Sequence, residues 1–208
     1  MTRITVITGM ILLLAACSSS PAMRLLQEHH QDVLVQQDFG ICEGYGCRYY
    51  RKTGLSAPEW HQIRQIFAVP ARTAAQERDM IKTAIGRFEQ FVGPKTGTGH
   101  DKAGAQIINF STRGQMDCID EAFNTTTYLY ILRKAGLIRL HILGKPLRRG
   151  NFFDRWPHNS ATIYEIGQDR VINGPGHYVV DSWFHANGEE PEIVPASQWS
   201  QGWSPDHR

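Results

Sequence analysis

Charge of one sign is what this chain most lacks: 22 Lys and Arg stand against 20 Asp and Glu in 208 residues, a formal net charge of +2. Recognition of nucleic acid needs a basic domain or stripe, so no nucleic-acid partner is expected. The one basic cluster, Lys145, Arg148 and Arg149, reads as a solvated loop, its other use being contact with anionic cell-wall polymers or lipid head groups. Cysteine is scarce as well. Cys17, Cys42, Cys47 and Cys118 contain one close pair without a second pair or closely spaced histidines, which argues against zinc and leaves no metal ligand set to name. Glycine gathers at Gly97, Gly99 and Gly104, but no Gly-Lys-Ser or Gly-Lys-Thr opens a helix there. That excludes the phosphate cradle of a nucleotide enzyme and leaves a rim loop. There is no internal repeat and no second domain.

What is present begins with Met1-Thr2-Arg3 and an apolar run from Ile4 to Ala16. One positive charge followed by a run too short to span a bilayer comfortably reads as a secretory signal. The run closes on Leu14-Ala15-Ala16-Cys17, which resembles a bacterial lipobox. The resemblance implies cleavage before Cys17 and lipidation of its thiol. Ser18-Ser19-Ser20-Pro21 resembles the tether of such lipoproteins, and Ser18 beside the lipidated cysteine fits those sorted to the outer membrane. The expected partner is therefore a lipid bilayer, held through several acyl chains at roughly 0.8 kcal/mol per buried methylene. Export also permits disulfides. With Cys17 lipidated, Cys42 and Cys47 are expected to pair around Glu43-Gly44-Tyr45-Gly46, where two glycines ease closure of a small loop. So short a loop stabilises by about 2 kcal/mol and pins an N-terminal segment. Cys118 is then free, the alternatives being a bond to Cys42 or Cys47, or an inert buried thiol.

Residues 1–16 are thus assigned to the signal, 17–53 to a lipidated tether and an arm with the cysteine loop, and 54–208 to one domain. Ser56-Ala57-Pro58-Glu59 is a capping box, and Trp60, Ile63, Ile66 and Phe67 form an apolar stripe that Pro70 stops. Thr73-Ala74-Ala75-Gln76 reads as a second box, followed by Ile81, Ala84, Ile85, Phe88, Phe91 and Val92 at helical spacing up to Gly93-Pro94. A third helix starts near Cys118, is apolar almost all round, and ends at Gly136. The period then changes to strands: Ile138 to Ile142, His158 to Ile166, Val171-Ile172, and Tyr178 to Phe184, with turns at Gly167-Gln168-Asp169 and Asn187-Gly188. Helices followed by antiparallel strands imply an α+β fold with the Cys118 helix packed on the sheet.

A thiol at a helix start, then an imidazole and a carboxylate on strands, is the order Cys118, His158, Asp181. Helix-terminal N–H groups and an imidazolium both favour a thiolate, His158 exchanges the proton, and Asp181 orients the ring. Asp117, Asp120 and Glu121 oppose the thiolate, moderated if Asp117 caps the helix and Asp120 meets first-turn amides. The oxyanion hole would use the Cys118 N–H with one of Gln106, Gln115 or Trp156. His177 shares a strand with Asp181 and is poorly placed to face it, while His141 reads as a polar strand position. Asp117-Cys118-Ile119-Asp120-Glu121-Ala122 resembles the Asp-Cys-x-Asp-x-Ala signature of the bacterial transglutaminase-like cysteine proteinases. Arg133-Lys134-Ala135-Gly136-Leu137, His158-Asn159-Ser160-Ala161-Thr162-Ile163 and Val179-Val180-Asp181-Ser182-Trp183 are similar to the same family's helix end, histidine strand and aspartate strand. Met116 and Asn159 stand where that family usually has Gly, and Ala or Val.

The resemblance implies a papain-like fold, with Cys118, His158 and Asp181 acting through a thioester on an amide-linked acyl group of a protein or peptidoglycan peptide. No cofactor is called for, although some relatives use calcium, for which Asp117, Asp120 and Glu121 would be the acids. Two alternatives stand beside this reading. One is a murein endopeptidase similar to the NlpC-type families, which normally continue Asp-Cys with Ser-Gly. The other is a non-catalytic binding lipoprotein that keeps the fold.

Overall fold

A computed structural model of the chain describes residues 34–105, 113–151 and 155–205, without the side chains of residues 151, 155 and 156. The signal segment, Cys17 and its tether, and Gln106 lie outside the described residues, as does the Trp156 side chain. Within them the protein is a mixed α+β structure with antiparallel sheets and four helices. Strands β1 (Phe39–Glu43) and β2 (Tyr49–Thr53) form a hairpin, and helices α1 (Ala57–Ile66), α2 (Ala74–Thr96) and α3 (Cys118–Lys134) follow. Strands β3 (His141–Leu143), β4 (Leu147–Asn151), β5 (Arg155–Glu165), β6 (His177–Asp181) and β7 (Glu192–Pro195) make the larger sheet, and α4 (Ala196–Ser200) closes the order. No described helix is long and apolar enough to cross a membrane.

The arm that carries the cysteine loop, which shows few periodic signals in sequence, contains the β1–β2 hairpin. β1 is buried along its whole length, Phe39 meets Phe88 and Tyr128 edge-on, and Ile41 and Cys42 belong to the main core. The arm therefore supplies one wall of the domain. The other wall is the sheet. The long β5 pairs on one side with β3 through residues 163–165 and with β4 through its first half, and on its other side with β6, which pairs with β7. Side chains alternate across it: Ala161, Ile163 and Val180 join the core that holds Phe123, Leu129 and Leu132 of α3, whereas Val179 packs on the opposite face with Ala196 and Trp199. Helix α3 is sandwiched between hairpin and sheet, which is why it is buried almost all round, its polar residues Asn124, Thr125, Thr126 and Thr127 included.

Helix starts follow side-chain chemistry. Ser56 and Glu59 form the reciprocal box expected of them. At α2, Thr73 accepts from the Gln76 N–H at 3.2 Å, but the Gln76 carboxamide accepts from Arg72 rather than from the cap residue, so the second box is incomplete. α2 also runs through Gly93-Pro94 to Thr96. Its stop is Gly97, at φ 87°, whose N–H returns to the Gly93 carbonyl. Gly93 serves close packing instead, since a Cβ there would lie 2.8 Å from Gly99 Cα. Val171 and Ile172, expected in a strand, sit in the β5–β6 connection at 56% and 67% exposure, and β6 ends at Asp181.

One buried anchor fixes α2 to β3. Glu77 accepts from the backbone of Arg139 (2.7 Å) and Leu140 (2.8 Å) and from His141 Nδ1 (2.9 Å), so His141 is a fully buried partner of Glu77 rather than a polar strand position. Burial works against the charged carboxylate, but the bonds from His141, Arg139 and Leu140 prevail and hold its pKa below the ordinary value of 4.5. A depressed pKa contributes stability that is present above about 4.5 and lost as the pH falls through the folded value. Glu77→Ala should cost roughly 3 kcal/mol in urea unfolding at pH 7, with the deficit shrinking on acidification. A deficit that stays the same down to pH 3 would contradict the ionised anchor.

Candidate active site

The site is built at the start of α3. Asp117 is the N-cap in extended conformation, and its carboxylate accepts from the Ile119 and Asp120 N–H groups, both at 3.0 Å, while Asp120 answers by accepting from the Asp117 N–H at 3.2 Å. Cys118, a free thiol of intermediate exposure, is the first residue of the helix. With the next two amides capped, no described residue accepts from the Cys118 N–H. It is an orphan donor of the helix terminus.

The histidine and aspartate arrive from β5 and β6. Pairing of Ala161 with Val180 sets Asp181 opposite Ser160, two residues from His158 on the same strand face. His158 Nε2 meets Asp181 Oδ2 at 2.7 Å, and Cys118 is its other polar neighbour. Asp181 Oδ2 also accepts from Trp199 Nε1–H at 2.6 Å. Trp183 (4.6 Å between ring centroids), Trp199 and Phe184 (5.4 Å each) enclose the imidazole. Arg149 lies 4.4 Å over the Trp199 ring and donates to the carbonyls of Trp199 and Trp203, fixing the indole that orients Asp181. Burial of His158 disfavours its cation, yet Asp181 and Cys118 outweigh that and raise its pKa to about 9. The ring is therefore an imidazolium at neutral pH.

The disulfide loop is part of this site, which its sequence position in the arm did not indicate. Cys42 and Cys47 are bonded. Gly44, Tyr45, Gly46 and Cys47 all have positive φ (83°, 71°, 68° and 57°), a conformation that lines successive N–H groups into a concave anion receptor. Its anion is Asp120, whose carboxylate accepts from Tyr45 N at 2.8 Å and Cys47 N at 2.6 Å. Beside it, Cys42 exchanges two backbone bonds with the Asn124 carboxamide, and Gly44 N donates to the Gln115 carbonyl. Loop and helix start hold one another.

The acids of this region are engaged differently from what their spacing implied. Asp120 serves its own cap amide and the cysteine loop. Burial and the adjacent Asp117 carboxylate push its pKa up to about 7 despite those amides, and burial drives Glu121 well above the usual range. The helix start thus carries less negative charge beside the thiol than three acidic residues suggest. Among the described residues there is no group of three His, Cys, Asp or Glu suited to a metal.

Cys118, His158 and Asp181 are brought together; of the oxyanion candidates Gln115 alone has a described side chain, and it is engaged elsewhere. The Gln115 carboxamide donates to the His100 carbonyl and accepts from Lys102 N, tying down the 100–102 loop. His177 stacks on Tyr164 at 4.1 Å with its Nδ1 accepting from Asn173 N, away from Asp181. Two residues missed in sequence stand at the site, Trp199 and Asn159. Trp199 carried no signal, because a tryptophan 18 positions after the aspartate is ordinary; Asn159 carried one, as a polar residue next to the histidine. Compared with protein-family models, curated proteins and solved structures, the chain matches none of them.

Proposed function

We propose that the protein is a thiol hydrolase or acyltransferase of the transglutaminase-like, papain-like class, anchored through lipid on Cys17 and facing the periplasm from the bacterial outer membrane. Its substrate is an amide-linked acyl group of a protein or peptidoglycan peptide. The observation that carries the reading is the relay from Cys118 through His158 to Asp181, with the 2.7 Å His158–Asp181 bond braced by Trp199. A buried imidazolium next to a thiol at a helix terminus supports nucleophilic chemistry. The thiolate attacks the amide carbon, the carbonyl electrons move to oxygen beside the Cys118 N–H, and the C–N bond breaks as His158 protonates the leaving nitrogen. Water, or an acceptor amine, then gives its proton to His158 and displaces the thiolate.

The test is incubation of the purified protein with isolated murein and with a periplasmic proteome. Wild type should release new amines or chain termini, and Cys118→Ala should release none while still retaining the substrate in a pull-down. Equal product from both proteins, or none from either, would leave a binding lipoprotein.

A further inference from the structure

Asn159 lies on the β5 face opposite His158. Ala161 and Ile163, two and four residues on, pack against α3, and the same alternation directs Asn159 to the end of that helix where Cys118 sits. Its Nδ2 donates to Cys118 Sγ at 3.6 Å, while the sulfur lies 3.9 Å from the Pro157 carbonyl. The imidazole and the carboxamide therefore approach the sulfur from opposite faces of one strand. Gln115, the described sequence candidate for this role, is engaged elsewhere.

We propose that Asn159 is a catalytic residue, the second donor of the oxyanion hole, resting on the Cys118 sulfur until a carbonyl arrives. The inference rests on the hydrolase reading above. In a tetrahedral adduct the oxyanion is separated from the sulfur by one carbon, so a donor on the sulfur reaches the oxygen by a small side-chain rotation. As the S–C bond forms, charge leaves sulfur for oxygen, and the amide N–H follows it. Together with the Cys118 N–H this gives two donors converging from helix and strand.

Two probes separate this role from simple support of the thiol. Acylation of Cys118 by p-nitrophenyl acetate passes through an oxyanion and releases p-nitrophenolate; alkylation by iodoacetamide displaces iodide and forms none. In the full-length protein, Asn159→Ala should slow acylation about 100-fold while alkylation changes less than about threefold. Asn159→Asp, of the same shape but lacking the donor, should lose at least as much acylation. Acylation unchanged in Asn159→Ala overturns the proposal, and so does an equal loss with both probes, which would make the residue a support of the resting thiol. A wild type that is not acylated, or is acylated as fast after His158→Ala, removes the hydrolase reading and this inference with it.

Discussion

His158→Ala should slow iodoacetamide capture of Cys118 at pH 7 by roughly 30-fold and lower turnover by about 10⁴-fold, the largest effect expected of any single change outside the nucleophile itself. The first figure reflects the loss of the positive charge and proton acceptor beside the sulfur. The second reflects the loss of the group that both protonates the leaving nitrogen and activates water. With the His158 pKa raised to about 9, turnover should hold through pH 8 and fall above pH 9, as the ring loses the proton it must give. Stability should follow the same group. A raised histidine pKa contributes stability that is fully present below about 6.5 and lost as the pH rises through about 9, on the order of 3 kcal/mol here. His158→Gln, nearer in size, should reproduce both losses. Capture rates that match wild type in both variants would show that the imidazole does not hold the thiolate.

Asp120→Ala should be the most destabilising change at the helix start, on the order of 4 kcal/mol by urea unfolding. It leaves the buried N–H groups of Tyr45 and Asp117 and the partly buried N–H of Cys47 without their acceptor, at roughly 1–3 kcal/mol for each buried donor before relaxation. Tyr45 and Cys47 would also keep a left-handed backbone that suits non-glycine residues poorly once the anion it embraces is gone. Reduction of Cys42–Cys47 should cost only about 2 kcal/mol, because it frees a short loop and leaves the carboxylate in place. The order of the two effects is the test. If reduction costs more than Asp120→Ala, the covalent link and not the carboxylate holds the loop on the cysteine helix.

The thiol site was partly legible before any coordinates because some of its determinants are local. Asp117 and Asp120 cap within three residues, so the helix start could be placed, and with it the first-turn position of Cys118. Ser56 and Glu59 are of the same kind. At Thr73 the same pattern misled by one residue, since Gln76 reaches Arg72 just as readily and only the incoming chain direction decides between them. Gly93-Pro94 looked like a stop because glycine serves both turns and close packing, and the neighbours that require packing, Gly99 and Asn187, are remote or on another segment. The hairpin was invisible for a related reason: β1 is buried throughout and lacks the alternation by which a half-exposed strand is recognised.

By itself the sequence determined the capped start of the cysteine helix, the apolar stripes that bury the helices before it, the chain order of thiol, imidazole and carboxylate, and the closeness of Cys42 to Cys47. These depend on groups a few residues apart, whose geometry the backbone imposes wherever the segment sits. Only the tertiary structure decided that Glu77 anchors His141, that the cysteine loop cradles Asp120, that Trp199 braces Asp181, and that Asn159 meets the sulfur. Each of these sets a side chain against a distant segment or across a strand face, and such pairings are set by sheet register and helix packing. A one-residue slip in β5 would exchange the faces of His158 and Asn159.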